Sequence, residues 1–98
     1  MIGEDAILSG DSYVEDSAVG AGTRVDSSRL VGARVGKRCS VGPYASLRPA
    51  SVVGDEVRIG AFVECKNARV GDGCKIAHLA YVGDADLSER VNVGCGVV

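Results

Sequence analysis

Along this chain a large, mostly aliphatic residue returns every six positions, occasionally every five, from one end to the other. The column runs Ile7, Tyr13, Val19, Val25, Leu30, Val35, Val41, Leu47, Val53, Ile59, Cys65, Val70, Ile76, Val82, Leu87 and Val93. Eleven of its gaps are sixes and four are fives. An α-helix repeats at 3.6 residues and a half-buried strand at 2.0, so neither element alone produces the pattern. A period this short, sustained along the whole chain, predicts a solenoid wound from one small unit.

A second column supports the same unit. Two residues before each large position stand Ser17, Thr23, Ser28, Ala33, Cys39, Ala45, Ser51, Val57, Val63, Ala68, Cys74, Ala80, Ala85 and Val91; only Asp5 and Asp11 depart. In extended backbone, residues two apart share a face, so each unit sends one small and one large side chain inward. Glycine follows the large residue at Gly20, Gly36, Gly42, Gly54, Gly60, Gly71, Gly83 and Gly94, where a residue without Cβ suits a tight corner. Short strands alternating with sharp corners predict an all-β triangular prism.

Composition narrows the picture. Ninety-eight residues make one domain, 1–98, and fourteen glycines with one Phe and no Trp leave little material for an ordinary core. A solenoid avoids that difficulty because each repeat buries its neighbour. The net charge of −2, with signs interspersed, gives no basic stripe, so neither nucleic acid nor an anionic membrane is expected as partner. No apolar run approaches the roughly 20 residues of a membrane span, and the start Met-Ile-Gly-Glu-Asp lacks signal-peptide character. A cytoplasmic location is expected. Cys39, Cys65 and Cys74 fall in the inward columns and no C-x-x-C pair occurs, so buried reduced thiols are expected and no metal site. Gly20-Ala-Gly22, Gly71-Asp-Gly73 and Gly32 to Lys37 lack the spacing of nucleotide-binding loops and read as repeat corners.

The exceptions to the corner rule carry the candidate chemistry. Arg48 and Lys66 stand where a small residue is expected, eighteen residues apart, and so at one corner of adjacent coils. Stacked cations repel unless an anion lies beside them, which suggests a phosphate; the alternative is a pair of solvated surface charges. Glu64 and Tyr81 each precede a large position three units apart and stack on the face that carries Lys66. His78, the single histidine, occupies a place taken by Ala61 one coil earlier and Cys95 one coil later. A histidine near a carboxylate and two cations is a candidate base.

The repeat of aliphatic residue, glycine and small inward residue resembles the hexapeptide-repeat proteins, which implies a left-handed parallel β-helix of about eighteen residues per coil, here about five coils. From Val41 onward the resemblance sharpens. Gly42-Pro43-Tyr44, Leu47-Arg48-Pro49, Val63-Glu64-Cys65-Lys66-Asn67, His78-Leu79-Ala80-Tyr81, Gly83-Asp84-Ala85 and Val91-Asn92-Val93-Gly94 carry it. The stretch is similar to the C-terminal acetyltransferase domain of the bacterial bifunctional N-acetylglucosamine-1-phosphate uridyltransferase/glucosamine-1-phosphate acetyltransferases. The resemblance implies acetyl transfer from acetyl-CoA to the 2-amine of glucosamine-1-phosphate, in UDP-N-acetylglucosamine synthesis, by a homotrimer. By the same resemblance His78 is the general base, Glu64 orients or polarises its imidazole, Arg48 and Lys66 hold the sugar phosphate, and Tyr81 and Asn92 contact the acceptor. Cys95 stands near that site where a small residue is usual. The family continues into further coils that bind acetyl-CoA, whereas this sequence stops at Val97-Val98. It also begins without the uridyltransferase domain. The expectation is a fragment holding the acceptor half, inactive alone; the alternative is a non-catalytic trimerising scaffold module.

Overall fold

The computed structural model describes residues 2–94, and in them strands are joined only by turns and bends. Sixteen short strands, numbered along the chain, form three parallel sheets. Sheet one holds β1 (Ile7–Ser9), β4 (Arg24–Asp26), β7 (Ser40–Val41), β10 (Arg58–Ile59), β13 (Lys75–Ile76) and β16 (Asn92–Val93). Sheet two holds β2 (Tyr13–Glu15), β5 (Arg29–Val31), β8 (Ser46–Leu47), β11 (Val63–Lys66) and β14 (Ala80–Gly83). Sheet three holds β3 (Ala18–Val19), β6 (Arg34–Val35), β9 (Val52–Val53), β12 (Arg69–Val70) and β15 (Asp86–Leu87). Every strand therefore pairs with the third strand before and after it. That is the winding of a β-solenoid of about five turns, as the hexapeptide period predicts.

Strand register turns the sequence columns into physical stacks. Val25 pairs with Val41, Val41 with Ile59, Ile59 with Ile76 and Ile76 with Val93, steps of 16 to 18 residues that follow the mixture of six- and five-residue gaps. Leu30 lies on Leu47 and Leu47 on Cys65; Val35 lies on Val53 and Val53 on Val70. All of these from Val25 to Ile76 are buried, together with the smaller residues two places before them. The core is thus a narrow shaft of apolar stacks, each rung covered by the next.

The period misplaces the first two rungs. Leu8 pairs with Val25 and Val14 with Leu30, so Leu8 and Val14, not Ile7 and Tyr13, stand in the large column. Ile7 and Tyr13 face outward, 48% and 47% exposed. The cause is a five-residue step from Val14 to Val19; six-residue spacing carried back from Val19 slips by one, and one residue reverses a strand's faces. Ala6 packs against the core in place of Asp5, and the Ser12 hydroxyl accepts from the Ser28 amide in place of Asp11, so the two apparent exceptions disappear.

Corner glycines meet the expected need, the lack of a Cβ. Gly36 and Gly54 are not in the left-handed region; a Cβ on Gly36 would fall 2.5 Å from the Gly54 carbonyl oxygen of the next coil. They are required by the closeness of the coils. The turn itself is made two residues later, by Arg38 (φ 55°), Glu56 (φ 58°) and Phe62 (φ 57°) among twelve described non-glycine residues at positive φ. Such residues cost of order 1 kcal/mol each. Their amides donate to the preceding coil, Arg38 to Ala21, Glu56 to Lys37 and Phe62 to Tyr44, at 2.8–3.0 Å, which offsets the strain.

Polar members of the small inward column also join coils. The Thr23 hydroxyl donates to the Gly36 carbonyl at 2.6 Å and accepts from the Cys39 amide at 3.1 Å. Ser28 donates to the Asp26 carbonyl and accepts from the Ala45 amide in the same way. The Cys39 thiol lies 3.0 Å from the Gly54 carbonyl and the Cys74 thiol 2.8 Å from that of Ser88. Ser51, 1% exposed, is the exception: its hydroxyl has no partner. Thr23→Val should therefore lower the unfolding free energy by about 1–3 kcal/mol, because it strands a buried amide. Ser51→Ala, which matches Ala33 and Ala68 on the coils either side, should be neutral or stabilise by up to about 1 kcal/mol. Urea midpoints of the two variants check both signs.

Candidate functional site

The candidate residues gather on the outer face of sheet two and its two corners. Along β11 side chains alternate, so Glu64 and Lys66 face outward while Cys65 is buried between them. Register sets Glu64 between Ser46 and Tyr81. Arg48 follows Leu47, the partner of Cys65, so it shares its corner with Lys66 one coil on, as the eighteen-residue spacing predicts. The Arg48 amide donates to the Cys65 carbonyl at 2.7 Å, fixing the corner's backbone.

Arg48 does not wait for an external anion. Its Nη1 lies 2.8 Å from Glu64 Oε2, in a pair whose side chains are nearly half exposed. At that exposure the bridge contributes no more than about 1 kcal/mol, and it neutralises one of the two stacked cations. Lys66 is exposed and makes no ion pair with a described residue. The neighbouring Asn67 donates from Nδ2 to Asp84 Oδ1 at 2.8 Å, tying this corner to the next coil.

Tyr81 is half-buried and leans along its strand. A Cβ on Gly83 would meet the Tyr81 ring and hydroxyl at 2.6–2.8 Å, so the phenol lies over Gly83. Gly83 is the register partner of Lys66, and the absence of a side chain there lets the hydroxyl end reach toward the cationic corner. Nothing in the repeat pattern singles Gly83 out from the other glycines that follow large residues.

His78 sits at the opposite edge of the sheet, in the corner between β13 and β14, and is exposed. The following amide, of Leu79, donates to the Ala61 carbonyl of the preceding coil, so the stacking of His78 on Ala61 is as expected. No described residue hydrogen-bonds the imidazole; the Glu64 carboxylate that the resemblance assigns to it is turned to Arg48. Asn92 lies on sheet one, paired with Lys75, around the corner from Tyr81 and Glu64. There it helps line a groove of about 540 Å³ with Ser40, Arg58 and Lys75. Cys95 lies outside the described residues.

One feature of the His78 corner is absent from the sequence reading. Tyr44, Phe62 and Leu79 occupy equivalent corner positions on three successive coils, all at positive φ and 57–61% exposed. The Tyr44 and Phe62 rings stack with centroids 5.6 Å apart and planes 20° apart. The signal was available as the second residue after Gly42, Gly60 and Ala77, but it becomes visible only once corners are known to superpose.

The bacterial transferase hexapeptide (six repeats) family model matches residues 32–67. Over almost the whole chain the sequence is similar to the bifunctional protein GlmU of Clostridioides difficile (strain 630), 48% identical over 97 residues. GlmU of Alkaliphilus metalliredigens (strain QYMF) is 46% identical over the same length. Each match covers 99% of this chain and 21% of the relative, so the chain spans about a fifth of those proteins. Among solved structures, a hexapeptide transferase family protein from Anaplasma phagocytophilum superposes with a TM-score of 0.78 at 13% identity, over 99% of this chain and 69% of that one. The acetyltransferase domain of PglB from Neisseria gonorrhoeae FA1090, in complex with acetyl coenzyme A, gives 0.62 at 17% identity over 93% and 49%. At such identities the two structures speak for the fold.

Beneath the face, burial chiefly, with the Glu64 charge second, pushes the Cys65 thiol up to about 12. Burial likewise raises Cys39. A thiol raised in the folded state leaves stability intact below the unfolded value near 8.5 and withdraws it as pH climbs toward the folded value. Unfolding free energy should therefore fall between about pH 8.5 and 12, by up to about 5 kcal/mol from Cys65. Cys65→Val, the residue type most of this column uses, should flatten that alkaline limb in a pH series of denaturant melts.

Proposed function

We propose that this chain belongs to the hexapeptide-repeat family of bacterial transferases and carries the acceptor side of an N-acetyltransferase acting on glucosamine-1-phosphate. The observation that carries the proposal is the placement of Arg48, Lys66, Glu64, Tyr81 and His78 on one sheet face and its edges, in a chain 48% identical to GlmU. In this reading Lys66 and Arg48 hold the sugar phosphate at one edge of sheet two, with Tyr81 alongside. Arginine and lysine suit that task, one as a planar fork of donors and the other as a point charge.

His78 then serves as the base at the other edge. It takes a proton from the 2-amine as the nitrogen attacks the thioester carbonyl carbon of acetyl-CoA. The C–S bond breaks, the CoA sulfur leaves as thiolate and is protonated, and the acetyl group stays on nitrogen as an amide. A positioned base is worth about 10²–10⁴-fold in rate. Holding donor and acceptor together is worth more, roughly 7–11 kcal/mol of the barrier.

Trimerisation and a cytoplasmic setting belong to the same proposal. The exposed stack of Tyr44, Phe62 and Leu79 supports self-association, since contiguous apolar surface marks interaction sites. No helix among the described residues is long and apolar enough to cross a membrane.

Glucosamine-1-phosphate should bind this chain more tightly than glucosamine, and Arg48→Ala or Lys66→Ala should erase the difference. A chimera in which this chain replaces the matching stretch of the Clostridioides difficile relative should release CoA from acetyl-CoA in the presence of glucosamine-1-phosphate. His78→Ala in that chimera should fold normally and lose at least about 10²-fold in turnover. A well-folded but inactive chimera favours the scaffold alternative, and an active His78→Ala chimera removes the histidine from the mechanism.

A further inference from the structure

Two stacked cations require a nearby anion, and at the Arg48–Lys66 corner the chain supplies one itself. Glu64 projects from β11 on the same face as Lys66 and two residues before it. Arg48 rises from the coil below and turns back along the sheet to place Nη1 on Glu64 Oε2 at 2.8 Å. A guanidinium carries five N–H donors in a rigid fork, so anchoring one terminal nitrogen fixes its plane and leaves the other donors free. The remaining polar neighbours do not compete for this carboxylate: Asn67 is engaged by Asp84, and Tyr81 lies over Gly83.

We infer that Glu64 is a resident counter-ion of Arg48, a carboxylate that occupies the guanidinium and that an incoming phosphate must share or displace. The inference rests on the phosphate reading of this corner. Arg48 and Lys66 face the Glu64 carboxylate here, and the Asp84 carboxylate of the next coil is held by Asn67. A phosphate dianion draws on both cations against the repulsion of Glu64, whereas a monoanion gains only half as much from each. This role differs from orienting His78, for in that case Glu64 has no bearing on phosphate affinity.

Inorganic phosphate, titrated into the chain at low ionic strength and followed through the backbone amide resonances of Arg48 and Lys66, tests the assignment. Glu64→Gln keeps an acceptor oxygen but removes the charge. It should tighten phosphate binding about three- to tenfold, the effect of one unit charge about 5 Å away near a wet surface. Glu64→Asp keeps the charge and should bind phosphate as the native chain does; Arg48→Ala should abolish binding. Unchanged or weaker binding by Glu64→Gln, with native binding that still depends on Arg48, overturns the role of Glu64 and leaves the phosphate corner standing. No phosphate binding by any of the proteins, or binding indifferent to Arg48 and Lys66, overturns both. Binding seen only in Glu64→Gln supports the inference in its strongest form.

Discussion

The close parallel stacking of coils governs everything else in this molecule. Successive strands sit at the inter-strand spacing of about 4.8 Å on all three sheets at once, and the corners must keep the same distance. That is why Gly36, whose Cβ would strike the Gly54 carbonyl oxygen, carries no side chain. It is also why Arg38, Glu56 and Phe62 accept left-handed backbone, since each then gives its amide to the coil below. The same spacing lets the hydroxyls of Thr23 and Ser28 and the thiols of Cys39 and Cys74 bridge one coil to the next from inside the shaft. These inward hydrogen bonds add to the backbone ladders that hold neighbouring coils in register.

Stacking also decides how such a chain can assemble chemistry. Residues 16 to 18 apart become neighbours, so a face is composed column by column. On sheet two the outward column runs Tyr13, Arg29, Ser46, Glu64 and Tyr81, with Arg29 set over the Tyr13 ring at 5.1 Å. The corner beyond it stacks Arg48 on Lys66. A carboxylate between these columns neutralises Arg48, and one missing side chain, at Gly83, makes room for a phenol. Over nearly its whole length the chain is 48% identical to GlmU of Clostridioides difficile (strain 630), across about a fifth of that relative.

Much of the fold and part of the site can be read from the amino acids alone, and the reason is the period. A repeat of five or six residues fixes which side chains enter the shaft, because inward positions must be apolar or small at every rung. The burial of Val25, Leu30, Val41, Leu47, Val53, Ile59, Cys65, Val70 and Ile76 follows from that rule, as does the corner shared by Arg48 and Lys66. The rule weakens at the edge strand β1, where Leu8 pairs on one side only among the described residues and is 43% exposed, and there the period is read one residue out of step.

Tertiary structure decided what periodicity does not carry. Outward side chains are free to choose partners, so the alliance of Glu64 with Arg48, and not with His78, depends on where two flexible side chains meet. Charges interspersed along the sequence collect when coils superpose: Arg24, Ser40, Arg58 and Lys75 form one column on sheet one, with Asn92 at its end and away from Tyr81. The stack of Tyr44, Phe62 and Leu79 arises in the same way. The sequence by itself determined the inward half of this protein, since burial constrains residue type at every rung. The outward half was settled by the three-dimensional register, because water tolerates almost any side chain and only proximity across coils gives it a role.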